Sequence, residues 1–175
     1  MAESVSYREH QEASAGQSVP CGVVTVSDTR TSKTDRSGSL ACELLEEAGH
    51  RVTFRTIVRD DPDGIRGAIL KGVRSVDVLI LNGGTGIARR DNTVDIVEGL
   101  LEKRLPGFGE IFRVLSFEEI GSGAMLSRAT AGVFRDTVLF SMPGSPNAVG
   151  LAMRRLVIPE LAHLAWELLH RHRQN

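Results

Sequence analysis

The run Val76-Asp-Val-Leu-Ile-Leu81, followed at once by Asn82-Gly-Gly-Thr-Gly86, limits the folds open to this chain more than any other feature. A run of β-branched and aliphatic residues with almost no polar interruption forms a strand covered on both faces. The abrupt change to asparagine, glycine and threonine ends that strand in a turn that needs freedom from Cβ atoms. The same grammar appears upstream. Gly22-Val-Val-Thr-Val-Ser27 reads as a second buried strand, and residues 52–58 as a third.

Helical stripes separate these strands. Leu40, Leu44, Leu45 and Ala48 share one face over residues 39–48, and Gly49 stands where a helix commonly ends. Asp61-Pro62 has the form of an N-cap followed by proline in the first turn, ahead of the stripe Ile65, Ile69 and Val73. Residues 93–101 are helical again. Strand and helix alternating at this spacing predict an α/β fold of three layers, αβα, around a mostly parallel sheet. The later chain is less regular. Residues 107–117 and 125–129 read as helices divided by Gly121-Ser-Gly123, and residues 132–134 and 138–140 flank Arg135-Asp136-Thr137 as a small antiparallel element. Helices over residues 147–156 and 159–170 close the chain.

With 175 residues and 41% hydrophobic content, one well-filled core is expected over residues 20–172. Residues 1–19 are polar without a strand period and read as a flexible tail. A net charge of -1 offers no footprint for nucleic acid or an anionic membrane. No apolar run approaches the roughly 18 residues of a membrane span. Cys21 and Cys42 lack metal or redox spacing and read as buried thiols, and no signal-like segment opens the chain. A reducing cytoplasm is therefore expected. None of His10, His50, His163, His170 and His172 pairs with an acid at metal-ligand spacing.

Open α/β sheets bind ligands beyond the carboxyl ends of their strands. Here those ends lead into Ser27-Asp28, into Asp60-Asp61, into the glycine segment, and into Met142-Pro-Gly-Ser-Pro-Asn147. Gly83, Gly84 and Gly86 leave backbone N–H groups open to a phosphate, Thr85 adds a hydroxyl, and the helix opening near Thr93 points its positive end there. Arg89 and Arg90 can neutralise phosphate charge. Asp60 and Asp91 are hard oxygen ligands of the kind Mg²⁺ prefers when it also holds substrate phosphates. Together these residues predict handling of a nucleoside triphosphate. Local roles compete: Asp61 has the pattern of a helix cap, Asp91 shares capping with Asn92 and Thr93, and Ser145-Pro146 could open a helix. No Ser-His-Asp or Cys-His arrangement is present to supply a nucleophile, and the chemistry requires none.

Four ordered motifs carry a resemblance. They are Thr25-Val-Ser-Asp28; Asp35 with Ser37-Gly38; the GGTG segment followed by Arg90-Asp91-x-Thr93; and Pro143-Gly-Ser-Pro146. With the wording of residues 106–127, they resemble the MoaB/Mog molybdopterin-binding family over residues 22–169. The resemblance implies adenylylation of molybdopterin by Mg-ATP, with release of pyrophosphate. It also implies that Asp60 and Asp91 position Mg²⁺ and the ATP phosphates with Arg90 beside them, and that Gly83, Gly84, Thr85 and Gly86 cradle phosphate. Ser27, Asp28, Ser122, Ser127, Pro143, Gly144, Ser145, Pro146 and Asn147 would line the pterin and nucleotide pocket. A homotrimer or homohexamer is implied, as is contact with a downstream molybdate-insertion protein. Two residues depart from the family pattern. Val94 replaces a helix-opening proline, and Arg59 replaces the proline before Asp60, so Asp60 and Asp61 both stand as the second acid. A carrier that holds molybdopterin without catalysis is the alternative. Nucleotide pyrophosphate hydrolysis, as in competence-damage-type proteins of this fold, fits residues 106–110 and 143–146 less well.

Overall fold

The computed structural model describes residues 16–171. Strand β1 (Pro20–Val26) pairs in parallel with β2 (Arg51–Val58) on one side and with β3 (Val78–Asn82) on the other. Strand β3 in turn pairs in parallel with β6 (Thr137–Met142). Strand β5 (Thr130–Phe134) runs antiparallel to β6, and the two-residue β4 (Lys103–Arg104) pairs antiparallel with β5. The six strands stand in the order β2-β1-β3-β6-β5-β4, the mostly parallel sheet with a small antiparallel element that the alternation predicts.

The period of two along each strand sorts side chains between two layers. Cys21, Val23, Val78, Ile80, Val138, Phe140 and Met142 face helices α1 (Arg36–Glu47), α4 (Pro106–Ile120), α5 (Pro146–Ala152) and α6 (Ile158–Arg171). Val24, Val26, Leu79, Leu81 and Leu139 face α2 (Pro62–Gly72) and α3 (Thr93–Leu100). Leu45 and Ile69, one from each layer, are fully buried. Burial of such a side chain contributes about 1.5–3 kcal/mol. No helix among the described residues is long and apolar enough to cross a membrane.

Several elements differ from expectation, each for a local reason. Helix α1 begins at Arg36, not residue 39, because the Asp35 carboxylate accepts the Gly38 N–H and caps the helix earlier. The glycines expected to divide two helices form a 3₁₀ turn themselves (Gly121–Leu126), and residues 127–129 are not helical. Gly121, at φ 63°, takes the left-handed region that ends α4. The two closing helices are one rod interrupted by a π turn (Met153–Val157). Pro159 has no N–H, and its ring would crowd the carbonyl four residues earlier. The wide turn just before it, where the Ile158 N–H reaches Met153 O, relieves that conflict. The expected tail lies outside the described residues up to residue 15. Val19, inside that expected tail, is 3% exposed and packs into the core.

Candidate functional site

From β1 the chain leaves through α1 to β2 on one side. It then returns through α2, on the other layer, to β3 on the opposite side of β1. The loops after β1 and β3 therefore diverge and leave a crevice at the carboxyl edge, the usual ligand position in a doubly wound sheet. Backbone bonds brace this edge. The Ser27 N–H donates to Val58 O at 2.8 Å, the Gly83 N–H to Met142 O at 3.1 Å, and the Thr93 N–H to Gly84 O at 3.0 Å.

The glycine segment is dictated by close approach. Gly83 and Gly84 have φ of 96° and 61°. A Cβ on Gly83 would strike Val26 O, and one on Gly84 would strike Thr93 Oγ1 and stand 2.7 Å from Asp60 Oδ2. A Cβ on Gly144, in the loop after β6, would come within 2.9 Å of Gly83 Cα, so the two loops meet backbone to backbone. Thr85 is buried. The Thr93 hydroxyl, beside Gly84, is buried without a hydrogen-bond partner.

Carboxylates gather around this segment. Asp60 Oδ1 accepts the Asn92 N–H at 3.5 Å, while the Asp60 N–H donates to Asp28 Oδ1 at 3.3 Å. Arg90 Nη1 stands 3.5 Å from Asp28 Oδ2, and Arg59 Nε 3.8 Å from Asp28 Oδ1. Asp91 Oδ2 accepts the Ala88 N–H at 2.8 Å and lies against Gly86. Burial raises the Asp60 carboxyl above its ordinary pKa, and the neighbouring charges of Asp91 and Asp28 push the same way; the Asn92 amide and Arg90 oppose them. Asp61 plays a different part. It caps α2 by accepting the Gly64 N–H at 2.8 Å, which leaves Asp60 as the acid beside Gly84.

This donor set fits Mg²⁺ in one particular way. Among the described residues, no three acidic, histidine or cysteine side chains converge closely enough to hold a metal by themselves. Mg²⁺ commonly takes only one or two carboxylates, keeping water and phosphate oxygens for its remaining positions. Asp60 and Asp91 could supply those two.

Beneath the crevice lies a polar lock; Thr25, Asp35 and Ser37 belong to the motifs quoted above, but the part played by Asn82 and Arg55 was missed. Asn82 is fully buried; its Nδ2 donates to Thr25 Oγ1 at 3.1 Å and Val24 O at 3.3 Å, and its Oδ1 accepts from Ser37 Oγ at 2.9 Å. Thr25 Oγ1 donates to Asp35 Oδ2 at 2.9 Å, and Arg55 Nη2 reaches the same oxygen at 3.3 Å. Asparagine at the end of a wholly apolar strand was the available signal. Arg128 was also missed. Its Nη1 donates to Gly86 O at 3.2 Å and its Nη2 pairs with Asp95 at 2.7 Å, tying the segment before β5 to the glycine loop.

The remaining expected residues are distributed unevenly. Ser27 Oγ accepts the Thr29 and Arg30 amides at 3.3 and 3.2 Å and shapes the loop after β1. Ser145 caps α5 through the Ala148 N–H at 3.1 Å; Pro146 opens that helix, with Pro143, Gly144 and Asn147 around it. Ser127 ends the 3₁₀ turn, donating its N–H to Ala124 O at 2.9 Å. Ser122 lines a different feature. It borders an apolar groove of about 710 Å³ between α4 and the 3₁₀ turn, with Val114, Phe117 and Met125.

A glycine loop at the switch point of a doubly wound sheet, flanked by carboxylates from three strand ends, defines a class of α/β ligand-binding domain. Within that class, this chain belongs to the family described as a probable molybdopterin binding domain, whose model matches residues 22–163. It is 53% identical over 173 residues to a molybdenum cofactor biosynthesis protein B of Bacillus cereus, covering 97% of this chain and 100% of the relative. The protein of that name from Bacillus subtilis is 52% identical, with 94% and 98% covered. A crystal structure of a molybdenum cofactor biosynthesis protein B superposes with a TM-score of 0.87 at 54% identity, covering 90% of this chain and 99% of that one. The tungsten cofactor synthesizing protein MoaB from Pyrococcus furiosus gives 0.79 at 37% identity, with 88% and 99% covered.

Proposed function

We propose that this protein acts in molybdenum cofactor biosynthesis as an adenylyltransferase that activates molybdopterin with Mg-ATP. The carrying observation is the approach of the Asp60 and Asp91 carboxylates to Gly84 and Gly86 of one glycine loop. Neither acid serves as the cap of an adjacent helix through its side chain. Holding a pterin would not require a pair of acids at a glycine loop, one of them partly desolvated; a metal-chelated triphosphate commonly uses one or two.

Mg²⁺, when bound with ATP, supplies charge neutralisation at the α-phosphate. The residues of this chain do the positioning. Asp60 and Asp91 orient the chelate, and Arg90 offsets charge at the rim; the N–H groups of residues 84–86 hold phosphate oxygens, whereas that of Gly83, expected to be open, is taken by Met142 O. An oxygen of the pterin phosphate forms the new bond to the α-phosphorus, and the bond to the bridging oxygen breaks as pyrophosphate leaves. Such a transfer draws on orientation and fixed charge more than on a protein nucleophile.

The test supplies the purified protein with molybdopterin, Mg²⁺ and ATP, and follows adenylylated pterin and pyrophosphate. Product from the wild type is expected, with turnover in Asp91→Asn reduced about 100-fold or more and pterin binding kept. Pterin binding with no product from the wild type would instead identify a non-catalytic carrier. We further propose that the protein works as a homotrimer or homohexamer. Exposed Ile111, Val114, Phe117, Ile120, Met125 and Leu126 supply an apolar face that self-association would cover. Release of the product to a downstream molybdate-insertion protein completes this reading.

A further inference from the structure

The loop after β1 and the first turn of α1 enclose a cleft of about 450 Å³, whose lining includes Arg30, Lys33, Arg36, Ser37 and Gly144. Among the described residues no acidic side chain lines it. Arg30 Nη1 donates to the Thr34 carbonyl at 3.4 Å, and none of Arg30, Lys33 and Arg36 has an acidic partner among the described residues. Asp35, which lies between them in sequence, turns inward and is 2% exposed, where Arg55 and Thr25 occupy it. Ser37 also turns its hydroxyl inward, to Asn82. Three cations thus border one cleft with no acidic partner among the described residues.

The position of this cleft gives it meaning. Gly144 is part of its wall and packs directly on Gly83 of the glycine loop. Gly83 belongs in turn to the loop around which Asp28, Asp60 and Asp91 gather. The two sides select opposite ligands. Clustered carboxylates repel a bare phosphate and accept one only with a metal, whereas clustered arginine and lysine attract a bare phosphate and repel the metal.

We propose that the Arg30–Lys33–Arg36 cleft binds a metal-free phosphate monoester. This deepens the transferase reading and rests on it for its role: the bound monoester is the nucleophilic phosphate. A monoester is largely a dianion at neutral pH, so no base is needed to free the attacking oxygen. Its oxygen forms the bond to the α-phosphorus, and the electron pair of the broken bond departs on pyrophosphate.

The test is calorimetric titration of phenyl phosphate into the purified protein in EDTA, beside a separate titration of Mg-ATP. Saturable binding of phenyl phosphate to the wild type is expected. Arg30→Gln with Lys33→Gln should weaken it about tenfold or more, with the Mg-ATP affinity kept and an unchanged melting curve confirming the fold. Asp60→Asn should do the reverse, weakening Mg-ATP and sparing phenyl phosphate. A control pair, Lys71→Gln with Arg74→Gln, removes equal charge at the far end of the sheet and should change neither.

Three results overturn the proposal: no saturable binding in the wild type by about 10 mM, a range weaker than ordinary ligand affinities; an equal loss in the control pair; or a parallel loss of Mg-ATP and phenyl phosphate in the cleft variant. Phenyl phosphate binding that depends on Arg30 and Lys33, but with no adenylylated pterin formed, supports the cleft and removes only the transferase reading.

Discussion

The backbone N–H of Asp60 donates to Asp28 Oδ1 at 3.3 Å, joining the end of β2 to the loop after β1 across 32 residues of sequence. Asp28 thereby spends its oxygens on that amide and on Arg59 and Arg90, and acts as a brace for Asp60. Asp28→Asn keeps an acceptor, whereas Asp28→Ala removes it. The alanine variant should therefore weaken Mg-ATP binding more than the asparagine variant. Because Asp28 also pushes the Asp60 pKa upward, carboxyl-carbon NMR should find Asp60 titrating lower in both.

Asp60 also leaves a mark on stability. Its pKa is raised in the folded protein, so between the ordinary value of 3.8 and the folded value the native state binds more protons than the unfolded chain. Stability falls as pH rises through that window, and the cost stays constant above it. Asp60→Asn removes the cost while keeping an acceptor for the Asn92 amide. Its melting temperature should exceed that of the wild type at pH 7, and the gap should close as pH drops below about 3.8.

Asp35 is buried, caps α1, and accepts from Thr25, Ser37 and Arg55 as well. Asp35→Ala leaves the Thr25 hydroxyl and the Gly38 N–H without their acceptor and Arg55 without its carboxylate, and should cost roughly 3 kcal/mol or more in urea unfolding. Asp35→Asn retains part of the acceptor capacity and should lose less. An Asp35→Ala protein of wild-type stability would contradict the lock as described.

Gly144 and Gly83 meet without side chains, and the methyl of Gly144→Ala has nowhere to go without moving one loop. Transfer activity should fall about tenfold or more, since a small misplacement of reacting groups is costly. The secondary structure read by circular dichroism should stay unchanged.

Both thiols should be inert in the native state. Burial, with a smaller contribution from Asp77, pushes the Cys21 thiol up to about 12, and burial raises Cys42 as well. A colorimetric thiol reagent at pH 8 should label neither cysteine rapidly in native protein and both of the 2 cysteines in urea.

The fold was legible where hydrophobic period and punctuation agree. The runs at residues 22–27 and 76–81 announced central strands, and the glycines and acids after them marked the carboxyl edge. Strand β4 was invisible because Lys103 and Arg104 are exposed, polar and too short a run for any period to register. The 3₁₀ turn was misread because Gly121-Ser-Gly123 looks like a break; only Gly121, with its positive φ, interrupts the chain direction. At the site, Gly83, Gly84 and Asp60 stood out in the sequence, and Asp91 did so as one of three candidates for a helix cap. Asn82, Arg55 and Arg128 did not. Each works through a partner distant in the chain, and a pairing of that kind leaves no local pattern.

The π turn at Met153–Val157 has a consequence for how this chain can change length. It stores one residue more than a regular helix would use, so a single deletion there has two possible outcomes. Either the turn tightens into ordinary helix, or α6 swings by about 100°, carrying buried Leu161 and Ala165 away from the sheet. Pro159 blocks the first outcome. Length variation in descendants of this chain should therefore be excluded from the last rod and confined to surface loops.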